Sequence, residues 1–130
     1  MSDDRSAPPR RRHVLVIDDD NLVRTSLGNL LRLDHDVTLC AAAADALQLF
    51  IDGARFDAVL CDLNMPGMDG VALYDEMAAA FLEQLGRTVF LTGGAFTARA
   101  QEFLARVPNE QMEKPFDFDA LRSVLARVMG

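Results

Sequence analysis

Apolar residues along the chain come in short bursts, separated by stretches in which they recur every three or four positions. The bursts lie at 14–17, 37–41, 58–61, 88–91 and, more weakly, 110–112. Uninterrupted runs such as Val14-Leu15-Val16-Ile17 read as strands covered on both faces. The intervening stretches 21–33, 44–52, 71–82, 97–106 and 117–129 carry helical periodicity. In the first, Val23, Leu27, Leu30 and Leu31 form one apolar face. In the last, Phe118, Leu121, Leu125 and Val128 line up close to one stripe, and Asp117 stands where an N-cap belongs. Five strand–helix units in alternation predict an α/β fold, a parallel sheet with helices on both faces and right-handed crossovers. Neither an internal repeat nor a linker interrupts the pattern.

The polar residues at the strand ends carry the chemistry. Asp18-Asp19-Asp20 follows the first run directly, so three carboxylates crowd the end of a buried strand. They repel one another, and one takes up a proton unless positive charge offsets them. A hard divalent cation bound through oxygens is the usual remedy. A second acidic end follows the third run, at Asp62, within Asp62-Leu63-Asn64-Met65-Pro66-Gly67-Met68-Asp69-Gly70. Thr92 ends the fourth run, and Lys114 follows the fifth, before Pro115. Open parallel sheets bind ligands beyond the carboxyl ends of their strands, and each of these residues falls at such an end. Two other Asp-based sites fail on spacing. An EF-hand loop starting at Asp62 would put Pro66 at its fifth ligand position and Leu73 at its twelfth. A dehalogenase-type phosphatase needs an acid two residues after the nucleophile, where this chain has Asn64.

Composition narrows the classes. The chain has 130 residues and a formal net charge of −7, enough length for one domain with its own core. The acidic balance argues against a nucleic-acid surface. Its one basic run, Arg10-Arg11-Arg12, sits in a polar leader, residues 1–12, read as disordered and as solvated without a specific partner. Cys40 and Cys61 lie far apart in apolar stretches and read as buried reduced thiols, which fits a cytoplasmic protein. No apolar run approaches the ~18 residues of a membrane span, and no signal-peptide core follows Met1. His13 and His35 have no partners at metal-ligand spacing. Met65, Met68, Phe96 and Phe103 read as packing residues.

Four stretches together resemble the receiver domain of two-component response regulators: Val16-Ile17-Asp18-Asp19-Asp20, the 62–70 segment, Leu91-Thr92-Gly93-Gly94-Ala95, and Glu113-Lys114-Pro115-Phe116. The resemblance covers roughly 13–129, so the receiver unit is expected at 13–130. It implies a doubly wound, flavodoxin-like sheet of strand order 2-1-3-4-5. It implies that Asp62 is the phosphoacceptor, receiving a phosphoryl group from the phosphohistidine of a sensor histidine kinase or a histidine phosphotransfer protein. Asp19 and Asp62 would ligate Mg²⁺ with the backbone carbonyl of Asn64, and Asp18 would act mainly through a coordinated water. Thr92 and Lys114 would contact the phosphoryl oxygens. Such a module is a regulator rather than an enzyme acting on a separate substrate, although it promotes its own phosphorylation and autodephosphorylation. Output is expected through protein contacts on the 97–106 helix, the fifth strand and the last helix, where a homodimer is also possible. Kinase specificity is expected around Asn21, Arg24, Thr25 and Gly28.

These roles agree with the residue types. Phosphoryl transfer is mostly positioning and charge stabilisation. Lys114 is a point charge on a flexible stem, and a Thr hydroxyl can sense a phosphoryl oxygen. Gly93 and Gly94 leave the intervening loop free to move, and Lys114-Pro115 is a bond that is often cis in the family. One position departs. Receivers commonly carry Tyr or Phe three residues before the lysine as a rotamer switch, and here Gln111 stands there. That departure keeps a phosphorylation-independent pseudo-receiver as the alternative. Attachment to a hybrid kinase is a further reading of the same domain. With no residues left over for a DNA-binding domain, a transcription factor is not expected.

Overall fold

A computed structural model describes residues 11–93 and 97–130; most of the leader, and Gly94, Ala95 and Phe96, lie outside the described residues. The elements run β1 (His13–Ile17), α1 (Asn21–Leu31), β2 (Asp36–Cys40), α2 (Ala43–Ile51), β3 (Ala58–Asp62), α3 (Gly70–Ala80), α4 (Leu82–Leu85), β4 (Thr88–Thr92), α5 (Ala98–Arg106), β5 (Gln111–Glu113) and α6 (Phe118–Met129). All strand pairings are parallel, in the order β2-β1-β3-β4-β5. The parallel sheet is the one expected from the alternation, and its strand order is the one the resemblance implies.

Successive strand side chains point to opposite faces, so one sheet feeds two cores. Leu15, Ile17, Val59, Cys61 and Phe90 face α2, α3 and α5, meeting Phe50, Leu73, Met77 and Phe103. Val14, Val16, Leu60, Leu91 and Met112 face α1 and α6, meeting Leu27, Leu31, Leu121 and Leu125. The central strands are therefore apolar through their middles, with polar residues confined to their first and last positions. Strand order places β1 beside β3, which brings Asp18 and Asp62 to the same, carboxyl, end of the sheet.

Most boundaries move by one or two residues from the sequence reading. The 71–82 helix is the real departure. It stops at Ala80, and Phe81 leaves the helical conformation (φ −134°, ψ 51°) before the short α4. The reason is tertiary. Phe81 packs on Phe50 with ring centroids 5.7 Å apart. Gln84, almost wholly buried, donates to the carbonyl of Phe56 (3.1 Å) and accepts from its amide (2.9 Å). A buried amide that satisfies two backbone groups outweighs the continuation of one helix.

Two residues of the basic run, each about half exposed, also bond to the folded domain. Arg11 donates to the carbonyls of Arg32 (2.9 Å) and His35 (2.7 Å) and to Asp36 (3.1 Å). Arg12 reaches the carbonyl of Met129 at 3.3 Å. Carbonyls at helix ends lack intrahelical partners, and the two guanidiniums serve them. The cysteines are buried thiols as expected. His13 stacks edge-on against Phe56 and pairs with Thr38, while His35 pairs with Asp34, so both are structural.

Candidate functional site

The turn after β1 is built by its own aspartates. Asp20 is the N-cap of α1: its Oδ1 accepts from the amides of Leu22 (2.9 Å) and Val23 (3.3 Å). Asp18 is completely buried, and its Oδ1 accepts from the amide of Asp20 at 2.9 Å. Arg24 donates to the backbone carbonyl of Asp18 at 2.8 Å and to Asn21 at 2.9 Å. These bonds aim Asp18 inward and leave Asp19 exposed at the rim.

Across the switch point, Asp62 ends β3 and is itself nearly buried. The amide of Asn64 approaches its Oδ1 at 3.4 Å. The chain then returns so closely that a Cβ on Gly70 would lie 3.0 Å from the carbonyl oxygen of Asp62 and the Cα of Leu63. Glycine is therefore required where the loop meets α3. Carboxylate oxygens of Asp18, Asp19 and Asp62 fall within 4.8 Å of one another.

Lys114 supplies the opposing charge. Its Nζ lies 2.8 Å from Asp18 Oδ2 and 3.5 Å from Asp62 Oδ1. Its stem packs on Gly93, where a Cβ would meet it at 3.2 Å. Gly93 thus makes room for the lysine, a reason beyond the loop mobility read from the sequence. The amide of Lys114 donates to the carbonyl of Thr92 at 2.6 Å, and the Lys114–Pro115 peptide is cis. The Thr92 hydroxyl is engaged elsewhere, donating to the carbonyl of Met112 at 3.3 Å. Four of the six residues singled out from the sequence, Asp19, Asp62, Asn64 and Lys114, thus line one cleft; Asp18 lies buried against Lys114, and Thr92 has its hydroxyl turned to β5.

Electrostatics follow from burial. Loss of solvent pushes the Asp62 carboxyl up to about 6, with the Asp18 charge adding to the effect and Lys114 opposing it. Partial burial alone would lower the Lys114 ammonium, but its hydrogen bond to Asp18 and the Asp62 charge outweigh this and raise it. Burial also raises the Cys61 thiol, keeping it protonated and inert. Three carboxylates opposed by one ammonium leave an excess of negative charge on oxygen donors only. That donor set suits a hard divalent cation, so the acidic cluster can hold a metal.

The cleft, about 730 Å³, runs from these groups along an apolar shelf formed by Leu22, Val23, Leu30 and Phe116. Leu22 is 74% exposed there. The four residues expected to set kinase specificity differ in their surroundings. Gly28 is buried, with Leu39 3.3 Å from the position of its missing Cβ, and Arg24 is spent on the Asp18 turn. Asn21 and Thr25 remain exposed. An ion pair between Asp69 and Arg99 was not legible in advance. Asp-Gly before a helix signals an N-cap, but nothing near Arg99 in the sequence marks its partner thirty residues away.

A family model described as the response regulator receiver domain matches residues 14–126. The transcriptional regulatory protein FixJ of Bradyrhizobium diazoefficiens is 34% identical over 117 residues, covering 87% of this chain and 54% of FixJ. A protein-glutamate methylesterase/protein-glutamine glutaminase of Shewanella sp. (strain MR-4) is 28% identical over 118 residues, covering 86% of this chain. The chain spans 34% of that relative's length. Among solved structures, the receiver domain of the sensor histidine kinase PA1611 from Pseudomonas aeruginosa PAO1 is similar with a TM-score of 0.79 and 27% identity. The match covers 93% of this chain and 99% of that one, which holds a magnesium ion coordinated in its active site cleft. Among the described residues, no helix is long and apolar enough to cross a membrane.

Proposed function

The chain belongs to the response regulator receiver domain family, the phosphoacceptor modules of two-component signalling, and we propose that Asp62 is the residue that takes up the phosphoryl group. The observation that carries this is the meeting of Asp18, Asp19, Asp62 and Lys114 at one end of the sheet. A carboxyl pushed up to about 6 is largely ionised at pH 7 and so is available to attack phosphorus. In that step an Asp62 oxygen bonds to phosphorus while the phosphorus–nitrogen bond of a phosphohistidine breaks. The donor's electron pair returns to its imidazole ring.

Lys114 already bridges Asp18 and Asp62. It is placed to follow the negative charge from the free carboxylate to the acyl phosphate. Asp18, Asp19 and Asp62, with the backbone carbonyl of Asn64, would hold Mg²⁺. Bound there, the ion supplies charge neutralisation between the carboxylate and the incoming phosphoryl oxygens. Thr92 is one bond from serving as a sensor, because its hydroxyl must give up the Met112 carbonyl to reach a phosphoryl oxygen. A histidine kinase or phosphotransfer protein is the donor class, and the apolar shelf beside the cleft suits it. The receiver unit is read as residues 13–130.

Intact mass after incubation with Mg²⁺ and acetyl phosphate tests the reading. One added phosphoryl group on the wild type is expected, absent in Asp62→Asn and abolished by EDTA. No adduct at saturating Mg²⁺, even with a slowly hydrolysed phosphoryl mimic, would instead make the chain a phosphorylation-independent binding module.

A further inference from the structure

Asp69 uses its two carboxylate oxygens for two different elements. Oδ1 accepts from the amide of Ala72 at 2.9 Å and caps α3. Oδ2 pairs with the guanidinium of Arg99, in the first turn of α5. Asp69 belongs to the loop that begins at Asp62 and carries Asn64. The other end of that loop is fixed by the close approach of Gly70 to Asp62 and by the Gly70 amide bonding to the Leu63 carbonyl at 3.1 Å. Between this loop and α5 lies a cleft of about 510 Å³, with Asn64 and Met65 on one wall and Thr97 and Ala100 on the other. Asp69 and Arg99 both line it. α5 is thus joined to the site twice: through the chain that leaves Thr92, and through Arg99 to the Asp62 loop.

We propose that the Asp69–Arg99 ion pair is a coupling link that transmits the state of the Asp62 loop to α5. It would do in this chain part of what an aromatic residue at position 111 does elsewhere in the family. The inference rests on the reading of Asp62 as phosphoacceptor. Arg99 is a positioning residue and touches no reacting atom. Its side chain is 57% exposed and that of Asp69 27% exposed, so the pair is weak and salt-sensitive. That suits a contact meant to be remade rather than a fixed strut.

The test compares the full chain as wild type, Asp69→Asn, Arg99→Gln and Arg99→Lys by hydrogen exchange. Asp69→Asn keeps an Oδ1 for the α3 cap and puts an NH2 donor in place of the oxygen that accepts from Arg99, so the pair is lost. Without any phosphodonor, exchange across the first turns of α5 should rise about two- to fivefold in Asp69→Asn and Arg99→Gln, the factor an exposed ion pair supplies. Arg99→Lys should restore protection, and α3 should not change. With Mg²⁺ and beryllofluoride, all four proteins should take up the mimic, but the response in α5 should shrink in Asp69→Asn and Arg99→Gln alone. Unchanged α5 exchange in the first arm, or an undiminished α5 response in the second, overturns the link while Asp62 stands. A wild type that takes up neither acetyl-phosphate phosphoryl nor the mimic defeats the Asp62 reading and the relay with it. A first-arm effect alone would then leave the pair as a structural tether.

Discussion

Gln111 donates its side-chain amide to the carbonyl of Leu104 at 2.8 Å, which ties the first residue of β5 to the last turn of α5. A phenylalanine ring at this position would have no such bond to make. The tether serves a carbonyl that the helix end leaves without an intrahelical partner. Gln111→Ala should therefore lower stability by about 0.5–1 kcal/mol and speed exchange in the last turn of α5. The phosphoryl adduct on Asp62 should form as in the wild type. Denaturant titration and intact mass, run together, check both halves.

The pH dependence of the metal-free protein should carry the signature of Asp62. Its carboxyl is raised from 3.8 to about 6 by burial and by Asp18. The folded state therefore holds this proton more tightly than the unfolded chain does. Its stabilising contribution is complete below about pH 4 and is lost as pH rises through about 6. Above that, the ionised group costs roughly 3 kcal/mol. In EDTA, Asp62→Asn should be more stable than the wild type at pH 7 to 8, with the gap closing toward pH 4. A gap that stays level across this range would show that the buried charge is not its source.

Lys114 is the counter-charge of a fully buried carboxylate. Lys114→Met leaves Asp18 facing Asp62 with no cation, and Asp18 is 0% exposed. Breaking one side of a buried pair is costly. Because the ammonium itself reaches solvent, a loss of about 1–3 kcal/mol is expected. Mg²⁺ should recover more stability in this variant than in the wild type, since it restores positive charge among the same oxygens. Thermal unfolding with and without Mg²⁺ reads the difference; equal recovery in both proteins would separate the lysine from the metal cluster.

Gly70 allows α3 to start directly against β3. Gly70→Ala places a methyl carbon 3.0 Å from backbone atoms of Asp62 and Leu63, and neither can rotate away. The expected cost is about 1–3 kcal/mol. The rate of phosphoryl uptake should fall as well, because the displaced residue is the nucleophile. A stable variant with unaltered uptake would mean that the loop has more room than its packing shows.

The candidate site was largely legible because its residues sit where strands end. Four apolar residues, then a polar one, place Asp18 and Asp62 without knowledge of any contact; Thr92 follows a shorter apolar run, and Lys114 was placed by the Glu113-Lys114-Pro115-Phe116 stretch rather than by an apolar run. What could not be read was direction. The Thr92 hydroxyl turns to Met112, Arg24 turns back to the Asp18 carbonyl, and Gly28 turns inward to Leu39. Each depends on which neighbour offers an unsatisfied group or a gap. The break at Phe81 was hidden for a similar reason: helical spacing continues through it, and only the packing on Phe50 and the bonds of Gln84 to Phe56 stop the helix.

By itself the sequence determined the alternation of buried runs and amphipathic stretches, and hence a two-sided parallel sheet with acidic strand ends. Those features depend on local periodicity and on the cost of exposing apolar surface, which every short window carries. The tertiary structure decided which distant charges meet. Lys114 finds Asp18 across ninety-six positions, Arg99 finds Asp69 across thirty, and Arg12 finds the last turn of α6 across 117. Contacts between side chains this far apart in the chain leave no periodic trace. They are settled only once the apolar cores have fixed where the strand and helix ends lie.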